Sequence, residues 1–395
     1  MLKYFKEASM SRKVAIVGIG QTRHTGRRPY QNDGELIYEA VNLALTDAQL
    51  SRKDMETVII GNMDMFEGHY LNDGMLTDYT GSAGKSGFKM NTGGTVGTME
   101  VVTAWYNIAS GYCDTALVIG WEKHDEAAVQ PAITTMYDPA YMRNFGVGAL
   151  SGLSFMSLDY MTRSGCPIEI GALVRSYMSE NASRNPNAHM RDIFTPEQVL
   201  NSRMVLYPLT LLMICPASLG ACAIILASEE KARKMTNKPV WIKDHVTVHA
   251  GEGGGDNLDG RKNTEIVAGT AILKRNHITR PLEEIQFMEM YDPNPFFHPG
   301  FLEDFQLCPE GEGWKLVEKG LTNREGAFPI SPSGGVLCTN AIGDSGLVRV
   351  AEAALQLRGD AGEHQITRKV TQGLASGFGG SNWTDLFLLT NQSSW

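Results

Sequence analysis

Lys89-Met-Asn-Thr-Gly-Gly-Thr-Val-Gly-Thr98 is a glycine-rich turn that runs into apolar sequence extending to about Ser110. Glycines at 93, 94 and 97 suit a tight lead into a helix, whose first backbone N–H groups lack partners within the helix. Before it stands Val58-Ile-Ile60, and after it Asp114-Thr-Ala-Leu-Val-Ile-Gly120; both read as buried strands. Farther upstream, Val14-Ala-Ile-Val-Gly-Ile-Gly20 reads as another strand. Leu36, Ala40, Leu43 and Ala44 then recur at helical spacing within 35–48. Strand, helix, strand at this cadence predicts an α/β chain with a mostly parallel sheet covered on both faces.

Downstream the pattern changes. From about 121 to 205 methionine, asparagine and arginine become frequent and glycines interrupt 146–152, which predicts a helical and loop insertion. Gly220-Ala-Cys-Ala-Ile-Ile-Leu-Ala227 returns to buried-strand character. After Lys238-Pro a second strand–helix half begins at Val240-Trp-Ile, with a helix near 263–275 and a strand over Gln286–Tyr291. A helix over Leu347–Leu357 and strands near 369–375 and 385–390 complete it. The predicted organisation is an extension over 1–12, a first half over 13–120 plus 206–236, the insertion at 121–205, and a second half over 237–395. Gly251-Glu-Gly-Gly-Gly255 reads as a loop. The two halves share a cadence but no sequence repeat strong enough to prove duplication.

The chain has 395 residues, 43% hydrophobic and 20% charged, as an ordinary globular protein of two or three fused domains would. A net charge of −9 with no basic stripe argues against nucleic acid as a partner. It leaves room for a local cationic rim around an anionic cofactor. Cysteines at 113, 166, 215, 222, 308 and 338 form no C-x-x-C pair, so neither a zinc ribbon nor a disulfide framework is expected. No metal site is expected in this chain. Without a signal-like segment or an apolar run of about 18 residues, a cytoplasmic location off the membrane is the expectation.

Several segments together resemble thiolases of the sterol-carrier-protein type. They are Ala182-Ser-Arg-Asn-Pro-Asn-Ala-His189, Tyr207-Pro-Leu-Thr-Leu-Leu-Met-Ile-Cys-Pro216, Leu307-Cys-Pro-Glu-Gly-Glu-Gly313, Pro329-Ile-Ser-Pro-Ser-Gly-Gly335 and Ala351–Gly362. The likeness runs in order over about 13–390. It implies duplicated βαβαβαββ halves in a five-layered αβαβα arrangement, two mixed sheets about a central helix layer. It also implies coenzyme A lying across the insertion and a homodimer. Within the superfamily the chain is most similar to members paired with a small zinc-ribbon/OB-fold subunit, among them thiolases of aromatic degradation acting on benzoylsuccinyl-CoA.

The chain departs from the family pattern at each of four catalytic loops. The acylated cysteine of Asn-x-x-Cys-x-x-Gly falls on Gly94. The His-Asp-x-Phe loop reads Tyr291-Asp-Pro-Asn-Pro-Phe-Phe-His298. The Gly-His-Pro loop reads Cys338-Thr-Asn-Ala-Ile-Gly343, with Asn340 at the histidine. The terminal loop reads Gly377-Phe-Gly-Gly-Ser-Asn-Trp383. A thiolate suits acyl transfer because it attacks and leaves well. Cys338 alone of the six cysteines lies in one of these loops. It is the candidate displaced nucleophile, against the alternative of a cysteine packed beside a helix start. His298 is then the candidate base. Tyr291, Asn340 and backbone groups at Gly93, Gly94 and Gly380 are candidates to hold an oxyanion.

Arg184, Asn185 and His189 are the candidates for coenzyme A phosphates, with surface solvation the competing account. His124, in Trp121-Glu-Lys-His-Asp, matches a family loop near the active centre, with a structural role as the alternative. Ser381 has no neighbouring histidine to activate it. Cys215 and Cys222 read as core. Phe296, Phe297 and Trp383 shape either an acyl pocket or the core.

Three functions follow from the resemblance. The first is a thiolase converting a 3-oxoacyl-CoA and coenzyme A to two acyl-CoAs. The second is a retro-aldolase cleaving a 3-hydroxyacyl-CoA, and the third an acyl-CoA-binding scaffold without turnover.

Overall fold

A computed structural model describes residues 12–68, 72–140, 143, 148–236, 238–250, 264–380 and 383–394. The first half runs β1 (Val14–Gln21), α1 (Asp33–Ala48), β2 (Thr57–Gly61), β3 (Ser86–Met90), α2 (Val96–Ala109) and β4 (Thr115–Glu122). Helices α3 (Ala149–Ser164) and α4 (Ile168–Arg184) follow before β5 (Gly220–Ser228) closes that half. The second half runs β6 (Val240–His249), α5 (Thr264–Arg275), β7 (Met288–Glu289), α6 (Phe297–Asp304), α7 (Ile342–Arg358), β8 (Gln372–Phe378) and β9 (Trp383–Thr390). The Gly251–Gly255 stretch and most of the 1–12 extension lie outside the described residues, as does Ser381.

Strand order is β3-β2-β4-β5-β1-β6-β9-β8-β7. Hydrogen bonds thus join the two expected sheets into one mixed nine-stranded sheet. The junction is slight: β1 meets β6 only at Ala15↔Trp241 and Ile16↔Val240. Side chains still sort into five layers, because successive residues of a strand face opposite ways. Val14 and Ile16 face inward while Ala15 and Val17 pack on α1. In β9, Phe387 and Leu389 face inward while Leu386 and Leu388 pack with α5. The inner layer is α2 and α7, gripped by strands of both halves.

Gly97 and Gly346 let these two helices touch. A β-carbon on Gly97 would lie 2.6 Å from the Leu347 nitrogen, and one on Gly346 3.1 Å from the Thr98 nitrogen. Both helices begin at the same side of the molecule, so two N-terminal ends converge there.

Three expectations needed correction. The sheet is not mostly parallel: among the described strands five of its eight pairings are antiparallel, because the long return after β4 brings β5 in antiparallel between β4 and β1, and β6, β9 and β8 alternate in direction. Lys89-Met90, read as part of the glycine-rich turn, instead end an edge strand, Ser86–Met90, that pairs parallel with β2. Its outer residues are exposed, so it lacks the apolar signature of its neighbours. The strand expected over Gln286–Tyr291 shrinks to Met288–Glu289, with Ile330 bridging Met288 where a third strand would stand.

Candidate active site

The converging helix starts form the floor of a cavity of about 460 Å³. Gly94 precedes α2, Asn340 and Ile342 open α7, Tyr291 follows β7, and Phe378 to Gly380 leave β8; all line it. The roof comes from the short helix Val129–Thr134 and one face of α3, both within 121–205, and from Ile214–Ala217 beyond them. That size and mostly apolar lining suit a small organic ligand.

Position 94 has no room for a side chain. A β-carbon there would stand 2.4 Å from the carbonyl oxygen of Phe378. The terminal loop has closed over the space a cysteine would need. What remains is backbone at the positive end of a helix, a setting that favours an anion or a polarised carbonyl. Gly93 supports the turn with φ +65°, and its N–H donates to the Asn91 side chain at 3.1 Å.

Opposite lie the polar side chains. The Tyr291 hydroxyl donates to Asn340 Oδ1 at 3.4 Å, and Ser345 Oγ donates to the same oxygen at 3.0 Å. Asn340 Nδ2 donates to Cys215 Sγ at 3.3 Å. Burial pushes the Tyr291 phenol up, with the nearby Cys215 thiol adding to it, so it is a protonated donor at neutral pH. Burial likewise pushes Cys215 up to about 12, which the Asn340 hydrogen bond only partly opposes. The start of α7 is anchored from beneath. The Gly343 N–H donates to Glu122 Oε2 at 3.0 Å, and His24 Nε2 lies 2.8 Å from the Asp344 carboxylate.

The structure brings together Tyr291, Asn340, Gly94 and Gly380 of the expected residues and adds His124, whose role sequence left open. Cys338 is elsewhere. It ends the short helical turn Gly335–Cys338, is fully buried, and packs against α4. Arg175 Nη1 donates to its Sγ at 2.9 Å, and the Met178 carbonyl lies 3.4 Å away. One residue, Thr339, separates it from Asn340 along the chain, yet its side chain turns into the helical layer. The expected displaced nucleophile is therefore not presented to the cavity.

Nor does His298, the candidate base, line the cavity. It sits fully buried in α6, with Nδ1 3.2 Å from Asp292. Gly93 adjoins the cavity wall without lining it.

The three candidates for coenzyme A phosphates do not line the cavity either. Asn185 is buried and donates to Ser333 O at 3.1 Å and Glu352 at 3.2 Å. His189 Nδ1 meets Ser218 Oγ at 2.9 Å. Arg184 ends α4. Phe296 packs on Gly171, Phe297 on Phe301 and Phe378, and Trp383 on His249, so these rings are packing residues.

Cys215 is the thiol that does line the cavity, and sequence reasoning had placed it in the core. Its only available signal was the proline after it, which breaks the run before β5. Among the described residues no cluster of three or more His, Cys, Asp or Glu is arranged to hold a metal ion. No helix among them is long and apolar enough to cross a membrane.

A five-layered duplicated α/β fold with a cavity at two convergent helix starts defines the thiolase class of architecture. The family described as thiolase C-terminal domain-like matches residues 266–391. An acetyl-CoA acetyltransferase of Methanothermobacter thermautotrophicus is 31% identical, over 94% of this chain and 98% of that protein. Benzoylsuccinyl-CoA thiolase subunit BbsB of Thauera aromatica is 28% identical, over 90% of this chain and 92% of its own length. The solved Ltp2-ChsH2(DUF35) aldolase superposes with a TM-score of 0.82 at 22% identity, covering 98% of this chain and all of that one. The chain belongs to the thiolase superfamily and is an enzyme akin to the acyltransferases of that superfamily.

Proposed function

We propose that this enzyme makes or breaks a carbon–carbon bond of an acyl-CoA without an acyl-cysteine at the ancestral position, as a retro-aldolase of 3-hydroxyacyl-CoA. The observation that carries this is the Phe378 carbonyl standing 2.4 Å from where a side chain of residue 94 would begin. Thiolysis needs a nucleophile that the floor of the cavity does not offer, whereas retro-aldol cleavage needs none.

In that reaction the C2–C3 bond opens as the 3-hydroxyl hands its proton to the Tyr291 oxygen, which passes its own phenolic proton on to C2, so Tyr291 ends as it began. The electron pair passes into the thioester enolate, C3 becomes a carbonyl, and C2 is then protonated. No oxidant and no free thiol is consumed. Tyr291 and Asn340 hold the C3 oxygen, while backbone N–H groups at Gly94 and Gly380 face the thioester oxygen, where negative charge develops.

A second reading is thiolysis of a 3-oxoacyl-CoA, benzoylsuccinyl-CoA among them, through Cys215. It is favoured by that sulfur lying in the cavity within reach of Asn340, and by the name of the 31% identical relative. The experiment is to incubate the enzyme with 3-hydroxyacyl-CoA and, separately, with 3-oxoacyl-CoA plus or minus coenzyme A. Ketone or aldehyde release without coenzyme A supports the aldolase. Turnover that requires coenzyme A and is lost in Cys215→Ala overturns it in favour of thiolysis.

We propose as well that two copies associate through the exposed edge strand β3, and that a small zinc-ribbon/OB-fold subunit joins them. Exposed Phe88 on β3 motivates the first. Exposed Phe155, Tyr207 and Leu211, near the roof of the cavity, motivate the second. Light scattering of the chain alone and of the copurified complex tests both.

A further inference from the structure

His124 belongs to none of the hydrogen-bonded groups described above. It opens the turn after β4, is 4% exposed, and its ring lines the cavity. Phe66 packs edge-on against it with centroids 4.3 Å apart, which fixes the plane of the imidazole. The wall around it is apolar, built from Met63, Phe66, Val96 and Ile133.

Neither ring nitrogen makes a hydrogen bond of good geometry with the protein, although both are buried. The polar neighbours are engaged elsewhere. Lys123 Nζ holds Asp125 at 2.9 Å and Glu126 at 2.8 Å, and Glu122 accepts from the Met63 and Gly343 N–H groups. Apart from a weak contact with the Ser218 backbone, the buried imidazole has no well-formed partner, which is costly, and its open side is the cavity.

We propose that His124 is a specificity residue that binds an uncharged oxygen, a carbonyl or a hydroxyl, carried by the acyl chain of the bound thioester. The inference rests on the cavity being an acyl-CoA site and names a feature of the acyl group it takes. Burial pushes the imidazole down to about 3, opposed in part by Asp125 and the Ser218 backbone, so the ring is neutral at physiological pH. A neutral imidazole presents one donor and one acceptor at once. A neutral oxygen satisfies it, whereas a carboxylate would bring an uncompensated charge against the apolar wall.

The test uses unreactive S-alkyl-CoA thioethers in matched pairs, one saturated and one bearing a ketone, with the ketone moved carbon by carbon along the chain. At one position wild-type enzyme is expected to bind the ketone about tenfold more tightly than its saturated partner. In His124→Phe, which keeps a ring against Phe66, that preference should fall to about twofold or less, and in His124→Gln it should partly return. Tyr291→Phe should erase a preference at a different carbon. Thermal midpoints of the variants confirm that each is folded. A preference unchanged in His124→Phe, or absent from wild type at every position, overturns the inference while leaving the acyl-CoA site intact. Failure to bind any thioether, saturated or not, overturns the site and the inference together.

Discussion

Glycine 94 is the residue on which the chemistry turns, and the reason is steric. Gly94→Cys would not restore an ancestral enzyme, because its β-carbon meets backbone that cannot swing away like a flexible side chain. We expect the substitution to cost about 1–3 kcal/mol of stability and to give no acyl adduct by intact-protein mass after exposure to acyl-CoA. Tyr291→Phe removes the phenol donor and should lower kcat by about 10²- to 10³-fold, with little change in thermal midpoint. Cys338→Ala should keep turnover while losing about 1 kcal/mol of stability, since its sulfur packs under Arg175. Loss of turnover with the fold intact would reinstate Cys338 as the nucleophile. Tyr291 and Asn340 were legible because each falls in a loop that the family resemblance marks, and both line the cavity. The sequence misled at Cys338 because closeness along a chain says nothing of which side a helical turn presents.

Elements were legible wherever burial imposed a period. β1, β4 and β5 are fully buried and stood out as apolar runs, whereas the exposed edge β3 and the two-residue β7 did not. Inside α2 lies a residue no pattern flagged. Glu100 is fully buried with neither carboxylate oxygen hydrogen-bonded. Burial, and then Asp344, holds its carboxyl well above the usual range, with Lys89 opposing. The unfolded chain ionises it near about pH 4.3, the folded chain at higher pH, so between those values the folded state binds more protons. Its contribution is complete below the lower value and is lost as pH rises through the upper one. Glu100→Gln should therefore raise the thermal midpoint at about pH 8 and change it far less at about pH 5. Equal shifts at both values would refute the assignment.

Across the whole molecule, the layers were foreshadowed by two stretches of similar cadence, but their joining into one sheet was not. That junction depends on two residue pairs that no periodicity reports. Buried polar contacts meet at Glu352 and Glu289 and tie distant parts of the chain together. Asn185 reaches Glu352, which also accepts from Gln21 at 3.1 Å, and Arg349 Nη1 holds Glu289 at 2.6 Å. Arg349→Ala leaves Glu289 buried without its counter-charge and should cost about 3–5 kcal/mol, measurable by denaturant unfolding at neutral pH.

The crossing of α2 and α7 at Gly97 and Gly346 has a wider consequence. Any larger residue at 97 would act as a wedge, prising apart the two helix ends that floor the cavity. Such a protein would keep every reactive side chain and lose the spacing between them. The spacing of whatever groups stand on those ends is thus set by two residues that carry no side chain.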